Sequence, residues 1–199
     1  MAPNTTTYQR ILDAALEVFL DAGWQSSLDT IAERAGVARQ TLYNHFNSKE
    51  ALFAEAAKCC SDTLLITLEQ NQGSLQEKLL AFSRAFRARV MSPQGLAMCR
   101  MMIAEAPRFP EIAKMVFDAG PGATRKQLSK VLAQAMKKGE LREDDPVFAA
   151  EILLALLGGF GRPEKLYTQS TETESQTDAA TQRLVDIFLR AYSKPDKRK

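Results

Sequence analysis

The stretch Leu28–Phe46, LDTIAERAGVARQTLYNHF, decides how the rest of this chain is read. Leu28, Ile31, Ala32 and Ala35 recur at i, i+3, i+4 and i+7, which puts them on one apolar stripe of a short helix. Gly36 follows, and glycine takes φ > 0 without steric cost, so it closes that helix. After a tight turn at Val37 and Ala38, the pattern predicts a second helix from Arg39 to Phe46. Ala38, Leu42 and Phe46 fall on the face that packs back on the first helix. Gln40, Tyr43 and Asn44 point the other way, with Arg39 and Thr41 on the flanks. Such a pair is either a hairpin inside an ordinary helical domain or a helix-turn-helix whose second helix enters the DNA major groove. The exposed residue types suit the groove. Arg binds guanine O6/N7 in bidentate fashion, Gln and Asn bind adenine, and a Thr methyl meets the thymine methyl.

The wording of the stretch adds to its geometry. The run IAERAGVARQTLYNHFNSKEAL resembles the DNA-binding signature of the tetracycline-repressor (TetR/AcrR) family. The resemblance is carried by Ile-Ala, the Ala-Gly-Val turn, Thr-Leu-Tyr-x-His-Phe and the Ser-Lys-Glu-x-Leu start of the next helix. A second block, MMIAEAPRFPEIAKMVFDAGPG from Met101 to Gly122, resembles the regulatory domain of the AefR-like branch, and the likeness extends to GELREDDP and the helix after it. What this implies is an all-α chain: a helix-turn-helix DNA-binding domain over residues 1–48, then a helical effector-binding and dimerisation domain over 49–199. It further implies DNA contact by Ser27, Arg39, Gln40, Thr41, Tyr43, Asn44, His45 and Lys49, with Tyr43, His45 and Lys49 on phosphate. Two features depart from the family pattern. MAPNTTTYQR is poor in basic residues for a DNA-embracing arm, and the loop after the apolar helix is long.

Composition bounds the alternatives. The chain has 199 residues, is 45% hydrophobic and 25% charged, and carries a formal net charge of only +2. These are the values of a soluble globular protein, and they would not by themselves nominate a nucleic-acid binder. Asp13, Glu17 and Asp21, spaced by four, form an acidic ridge on the first helix that must face away from phosphate. No apolar run is long enough for a membrane span, and the first residues lack the pattern of a signal peptide. Cys59, Cys60 and Cys99 are odd in number and lack metal-ligand spacing, which points to reduced thiols in a cytoplasm.

Helix signals then follow one another. Thr5 to Thr7 offer caps for a first helix from Tyr8 to Ala22, stopped by Gly23, with Trp24 as an anchor on the three-helix core. Asn47-Ser-Lys-Glu reads as a capping box for a long helix, Lys49 to Gln70, with the stripe Phe53, Ala57, Cys60, Leu64 and Leu68. Ser74-Leu-Gln-Glu opens a fifth helix with Leu75, Leu79, Phe82, Phe86 and Val90 inward. Ser92-Pro93 opens a sixth, with Leu96, Cys99, Met102, Ile103 and Ala106 along one side. Pro107 and Pro110 break it, and a short piece from Glu111 to Asp118 ends at Gly120. A seventh helix spans Ala123 to Lys138. Asp145-Pro146 opens the most apolar helix, from Val147, which reads as buried on every side. Thr168 to Asp178 reads as a loop, Ala179 to Tyr192 as the last helix, and Lys194 to Lys199 as a basic, disordered tail.

The reading that results is a sequence-specific transcriptional regulator, most simply a repressor of a pseudo-palindromic double-stranded DNA operator. No enzyme signature, cofactor motif or metal-ligand cluster is present in the sequence. Surplus Phe and Met between the fourth and seventh helices nominate a pocket for a small apolar effector, with Leu64, Phe86, Met101, Met102, Phe109 and Phe117 around it. Leu153, Leu154, Leu157, Leu184 and Phe188 are nominated for a homodimer interface of four helices. The rival readings are a redox-responsive regulator using Cys59 and Cys60, and a helical enzyme or adaptor.

Overall fold

A computed structural model of the chain describes residues 6–70, 73–168 and 174–194, apart from some side chains within 60–70 and 174–176. Among the described residues the architecture is all-α. It divides into two compact units, residues 1–61 with 97–121 and residues 62–96 with 122–199.

The first unit is built on α1 (Thr7–Ala22), α2 (Leu28–Ala35), α3 (Arg39–His45), the first turns of α4 (Lys49–Gln70), most of α6 (Pro93–Glu105) and α7 (Pro110–Phe117). Thr6 caps α1 by accepting from the Gln9 N–H at 3.2 Å. Ile11, Leu12, Ala15 and Phe19 are fully or almost fully buried, as the helical spacing requires. Trp24 lies in a short 3-10 turn after Gly23 and stacks on Phe19, with ring centroids 5.5 Å apart; Phe53 is 5.4 Å from it. Three aromatic rings thus tie α1, the turn and α4 into one core.

The second unit holds α5 (Leu75–Val90), α8 (Ala123–Lys138), α9 (Pro146–Gly159), α10 (Arg162–Tyr167) and α11 (Glu174–Tyr192), with the last turns of α4. Leu79, Phe82, Leu128, Leu132, Leu153, Leu157, Val185 and Phe188 form its fully buried core. Local signals act as expected here. Ser74 and Glu77 close a reciprocal capping box, Gly139 ends α8 in the left-handed region after Lys137 and Lys138, and Asp145 accepts from the Val147 N–H at 2.8 Å with Pro146 opening α9.

Several expectations need correcting. The cap of α4 is Ser48, whose Oγ accepts from the Ala51 N–H at 3.0 Å; Phe46 leaves α3 extended to bury its ring, so Asn47 is spent in the turn. Ala38 is exposed, not packed with Leu42 and Phe46. Gly120 does not stop a helix: the chain passes through a π turn, Asp118–Gly122, straight into α8. On α6 it is Met98, Met101 and Met102 that face the first core, while Ile103 is 66% exposed. α9 is buried on one side only, with Val147, Phe148, Ala155 and Gly159 exposed. α10 was not anticipated, and α11 begins at Glu174 within the stretch expected to be a loop. Arg84 holds that early turn, with Nε and Nη2 at 2.5 and 3.0 Å from the Asp178 carboxylate. By packing, α6 and α7 group with the helices of residues 1–48, because they lie on the aromatic core of the first unit. Residues 195–199 of the basic tail lie outside the described residues.

Candidate nucleic-acid interface

The angle between α2 and α3 is set by the turn between them. Gly36 has φ 63° and ψ 41°; its N–H donates to Glu33 O at 3.0 Å, and the Val37 N–H donates to Ala32 O at 3.0 Å. This pair of bonds is the Schellman motif, which satisfies the end of α2 and turns the chain. Arg10 of α1 clamps the same turn, donating from Nη2 to Ala35 O at 2.6 Å and Gly36 O at 2.8 Å. Any side chain at Gly36 would suffer the positive φ and bring a Cβ to 3.1 Å from that nitrogen.

α3 is held from below by Leu42, fully buried, and by Phe46 just beyond it. Arg39, Gln40, Tyr43, Asn44 and His45 are exposed and Thr41 is half-buried. Gln40 Nε2 donates to Asn44 Oδ1 at 3.0 Å, one turn apart. Arg39 is oriented on two sides. Its Nη1 donates to Asp29 Oδ2 at 3.0 Å, and its guanidinium lies over the Tyr43 ring, 5.4 Å from the centroid. Hydrogen bonding to Tyr43 and the charge of Asp29 push the Arg39 pKa above its ordinary value.

The remaining nominated residues take different positions. Ser27 caps α2, accepting from the Thr30 N–H at 3.1 Å. His45 is exposed, not in the core, with its ring 5.9 Å from Tyr8 in an edge arrangement. Tyr8 itself stays protonated: burial first, then a hydrogen bond to Glu55, pushes it up to about 12. Lys49 is half-buried, and its ammonium donates to the Trp24 carbonyl and sits 4.5 Å from the Trp24 ring centroid. Burial pulls its pKa below the usual lysine value. The acidic ridge of α1 is partly answered by Arg34, whose Nη1 lies 3.1 Å from Glu17 and 3.6 Å from Asp21.

Of the nominated pocket residues, Met101, Met102 and Phe109 come together with Trp24, Phe53, Glu105, Ile112 and Ala113. They line a narrow cleft in the first unit that, as it stands, has room for little more than a water molecule. Glu105 Oε2 is buried there without a hydrogen-bond partner, with Arg108 Nη1 3.9 Å away. Leu64 and Phe86 belong instead to the core of the second unit, and Phe117 is 49% exposed. Cys59 is a half-buried thiol outside any disulfide, packed against the first core; the Cys60 side chain lies outside the described residues. The nominated interface set is corrected more heavily. Leu153, Leu157, Leu184 and Phe188 are buried in the chain's own core, and only Leu154 is left partly open. Sequence reasoning also passed over Asp29 and Arg10. Neither is spaced from its partner in a way that a helical period reveals.

A three-helix core that presents the second helix of a helix-turn-helix, polar face outward, defines a DNA-binding regulator. Residues 11–56 match the tetR family of bacterial regulatory proteins, and residues 77–194 match the C-terminal domain of AefR-like transcriptional repressors. The chain belongs to the tetR family and is a transcriptional regulator. It is 34% identical over 68 residues to IcaR of Staphylococcus aureus, a negative regulator of the biofilm operon icaADBC, covering 33% of this chain and 37% of that one. It is 40% identical over 69 residues to FasR of Mycolicibacterium smegmatis, a transcriptional activator, covering 34% and 32%. The chain therefore spans about a third of the length of these curated relatives. Among solved structures, the flavonoid-responsive regulator FrrA is similar over 94% of this chain and 97% of its own, with 30% identity and a TM-score of 0.70. No helix among the described residues is long and apolar enough to cross a membrane.

Proposed function

We propose that this regulator is a cytoplasmic homodimeric repressor of a pseudo-palindromic operator and that a small, largely apolar effector releases it. The observation that carries the reading is α3: Arg39, Gln40, Tyr43 and Asn44 share an exposed polar face over buried Leu42 and Phe46. DNA binding belongs to residues 1–48, and dimerisation to the helices after them. Selecting duplexes from a random pool tests this directly. A palindromic consensus, bound in a shift assay and lost on mutation of α3, is the expected result; recovery of no sequence would overturn it.

The faces left open on α9 and α11 support a dimer contact there. Phe148, Ile152, Ala155 and Gly159 form one stripe, opposite the buried Ala149, Leu153 and Leu157. On α11 Ala180, Ile187 and Ala191 form another, and Phe148 and Ile187 are 52% and 44% exposed. Small and apolar residues at helical spacing suit a close four-helix contact about a twofold axis. Phe148→Glu and Ile187→Glu are expected to give folded monomers by light scattering, whereas Leu153→Glu and Phe188→Glu should unfold the chain. Folded dimers from both of the first two variants would place the interface elsewhere.

For the effector, the cleft lined by Met101, Met102, Phe109 and Trp24 is the favoured site. Met is unbranched and yields to a ligand's shape, and the likeness to a flavonoid-responsive regulator favours a planar aromatic molecule. Trp24 links the cleft to Lys49, which donates to its carbonyl. A ligand that moves Trp24 thereby moves a cation at the start of α4. Since Trp24 is the single tryptophan of the chain, an effector that releases operator is expected to change the protein's tryptophan emission at the same concentrations. Release with unchanged emission would exclude this cleft.

A further inference from the structure

Asp29 is a carboxylate on the same unit as α3 that none of the recognition chemistry above requires. Its partner is Arg39, ten residues on and across the Gly36 turn, with Nη1 to Oδ2 at 3.0 Å and both side chains more than half exposed. Exposed ion pairs contribute little to stability, so the pair is not explained by what it adds to folding. Its cost to DNA binding is plain, because a negative charge beside the recognition helix repels phosphate. What it gives in return is orientation. An arginine side chain is long and rotamer-rich, yet here the guanidinium is fixed on one edge by Asp29, supported beneath by the Tyr43 ring at 5.4 Å, and approached by Tyr43 Oη at 3.4 Å from Nη2.

We propose that Asp29 is a positioning residue for DNA reading: it aims the Arg39 guanidinium at a guanine edge and keeps it off the phosphate backbone. The proposal rests on the reading of α3 as the recognition helix. A guanidinium has five N–H donors. Asp29 and Tyr43 engage one each, and three remain, enough for the parallel pair that guanine O6 and N7 accept. The carboxylate also penalises the competing geometry. With Asp29 in place, swinging Arg39 to a phosphate leaves an uncompensated anion next to the DNA backbone. Discrimination between base and phosphate is raised from the repulsive side as well as the attractive one.

The test compares Asp29→Asn, Asp29→Ser and Asp29→Glu with Arg39→Ala, each titrated against the selected operator, single-base variants of it and a scrambled duplex at several salt concentrations. Thermal melts establish that each variant is folded; Ser is included because Ser, like Asn, is compatible with the first turn of α2. The expected result for Asp29→Asn and Asp29→Ser is tighter binding to the scrambled duplex, a salt slope steeper by about one unit per protomer, and a several-fold loss of discrimination at the base pair that Arg39 reads. Asp29→Glu, which keeps the carboxylate, retains the discrimination. In the Arg39→Ala background Asp29→Asn should change base preference no further, since both act through one side chain. An unchanged base profile for folded Asp29→Asn, beside a relaxed one for Arg39→Ala, overturns the proposal. So does a preference that moves to a different base pair, which would make Asp29 a direct reader. If Arg39→Ala itself leaves the profile unchanged, it is the reading of α3 that fails.

Discussion

Arg39→Ala is expected to lower affinity for the selected operator by about ten- to a hundredfold and to relax the choice of base at one position. Lys49→Ala is expected to weaken operator and scrambled duplex alike and to lower the salt slope by about one unit per protomer. The difference follows from where the two cations sit. Arg39 opens α3, at the end of the helix that meets base edges in this motif, and its guanidinium is already held out in the solvent by Asp29 and Tyr43. Lys49 opens α4, where backbone N–H groups and the helix dipole favour an anion. Its ammonium is engaged with the Trp24 carbonyl and ring in this structure. To meet phosphate it exchanges a carbonyl for a charged oxygen, a gain for a half-buried cation whose protonation burial already disfavours. Tyr43→Phe separates the contributions further. Losing only the hydroxyl, it should behave like Lys49→Ala if that group meets phosphate, and like a mild Arg39 variant if its role is to support the guanidinium. Titration of each variant at several salt concentrations decides the matter. Should Lys49→Ala lower the melting temperature while leaving the salt slope unchanged, Lys49 is a structural tie to Trp24 and not a phosphate contact.

What could be read from the sequence was what short-range chemistry determines. The Ser74–Glu77 box, the Asp145-Pro146 start and the Gly36 and Gly139 stops involve residues at most a few positions apart, and each forms as its residue types require. Helix faces were legible where apolar and charged positions alternate, as in α1, but on α5 the buried face also takes Ser83 and Arg87, which a hydrophobic stripe does not reveal. Faces were not legible on α6 and α9, where apolar residues run almost without interruption and the buried side is chosen by distant neighbours. On α6 it is Met98, Met101 and Met102 that meet the core where the spacing points to Ile103, and on α9 and α11 Leu153 and Phe188 fill the chain's own core. The early turn of α11 is similar: its polar residues read as loop, and the Arg84–Asp178 pair that steadies it spans 94 positions. In the recognition element, the exposed face of α3 was visible from spacing alone. The Asp29–Arg39 and Lys49–Trp24 contacts were not, since each crosses a turn whose geometry must be known first.

Arg87→Ala is expected to destabilise the protein by about 3–5 kcal/mol, the range found when a large buried side chain and its hydrogen bonds are removed together. Arg87 is fully buried in the second unit. Its Nη1 donates to Leu157 O at 2.8 Å and to Phe160 O at 3.1 Å, the carbonyls at the C-terminal end of α9, and the guanidinium lies 5.9 Å from the Phe160 ring centroid. A helix end carries partial negative charge and unpaired carbonyls, and α9 has neither a basic residue in its last turn nor a left-handed cap at Phe160. Arg87 supplies both the charge and the donors from another helix. For a chain of this size the loss corresponds to a fall in melting temperature of roughly 6–20 °C. Arg87→Met refills most of the volume without restoring the donors, so it should recover part of the loss and leave the remainder attributable to the two carbonyls. In the dimer proposed above, Ala155 and Gly159 lie near that end of α9, so its fraying should also weaken the association of the Ala variant. Thermal unfolding followed by circular dichroism, with light scattering on the same samples, measures both effects. A parent-like melting temperature for Arg87→Ala would mean that solvent satisfies the end of α9 as well as the buried guanidinium does.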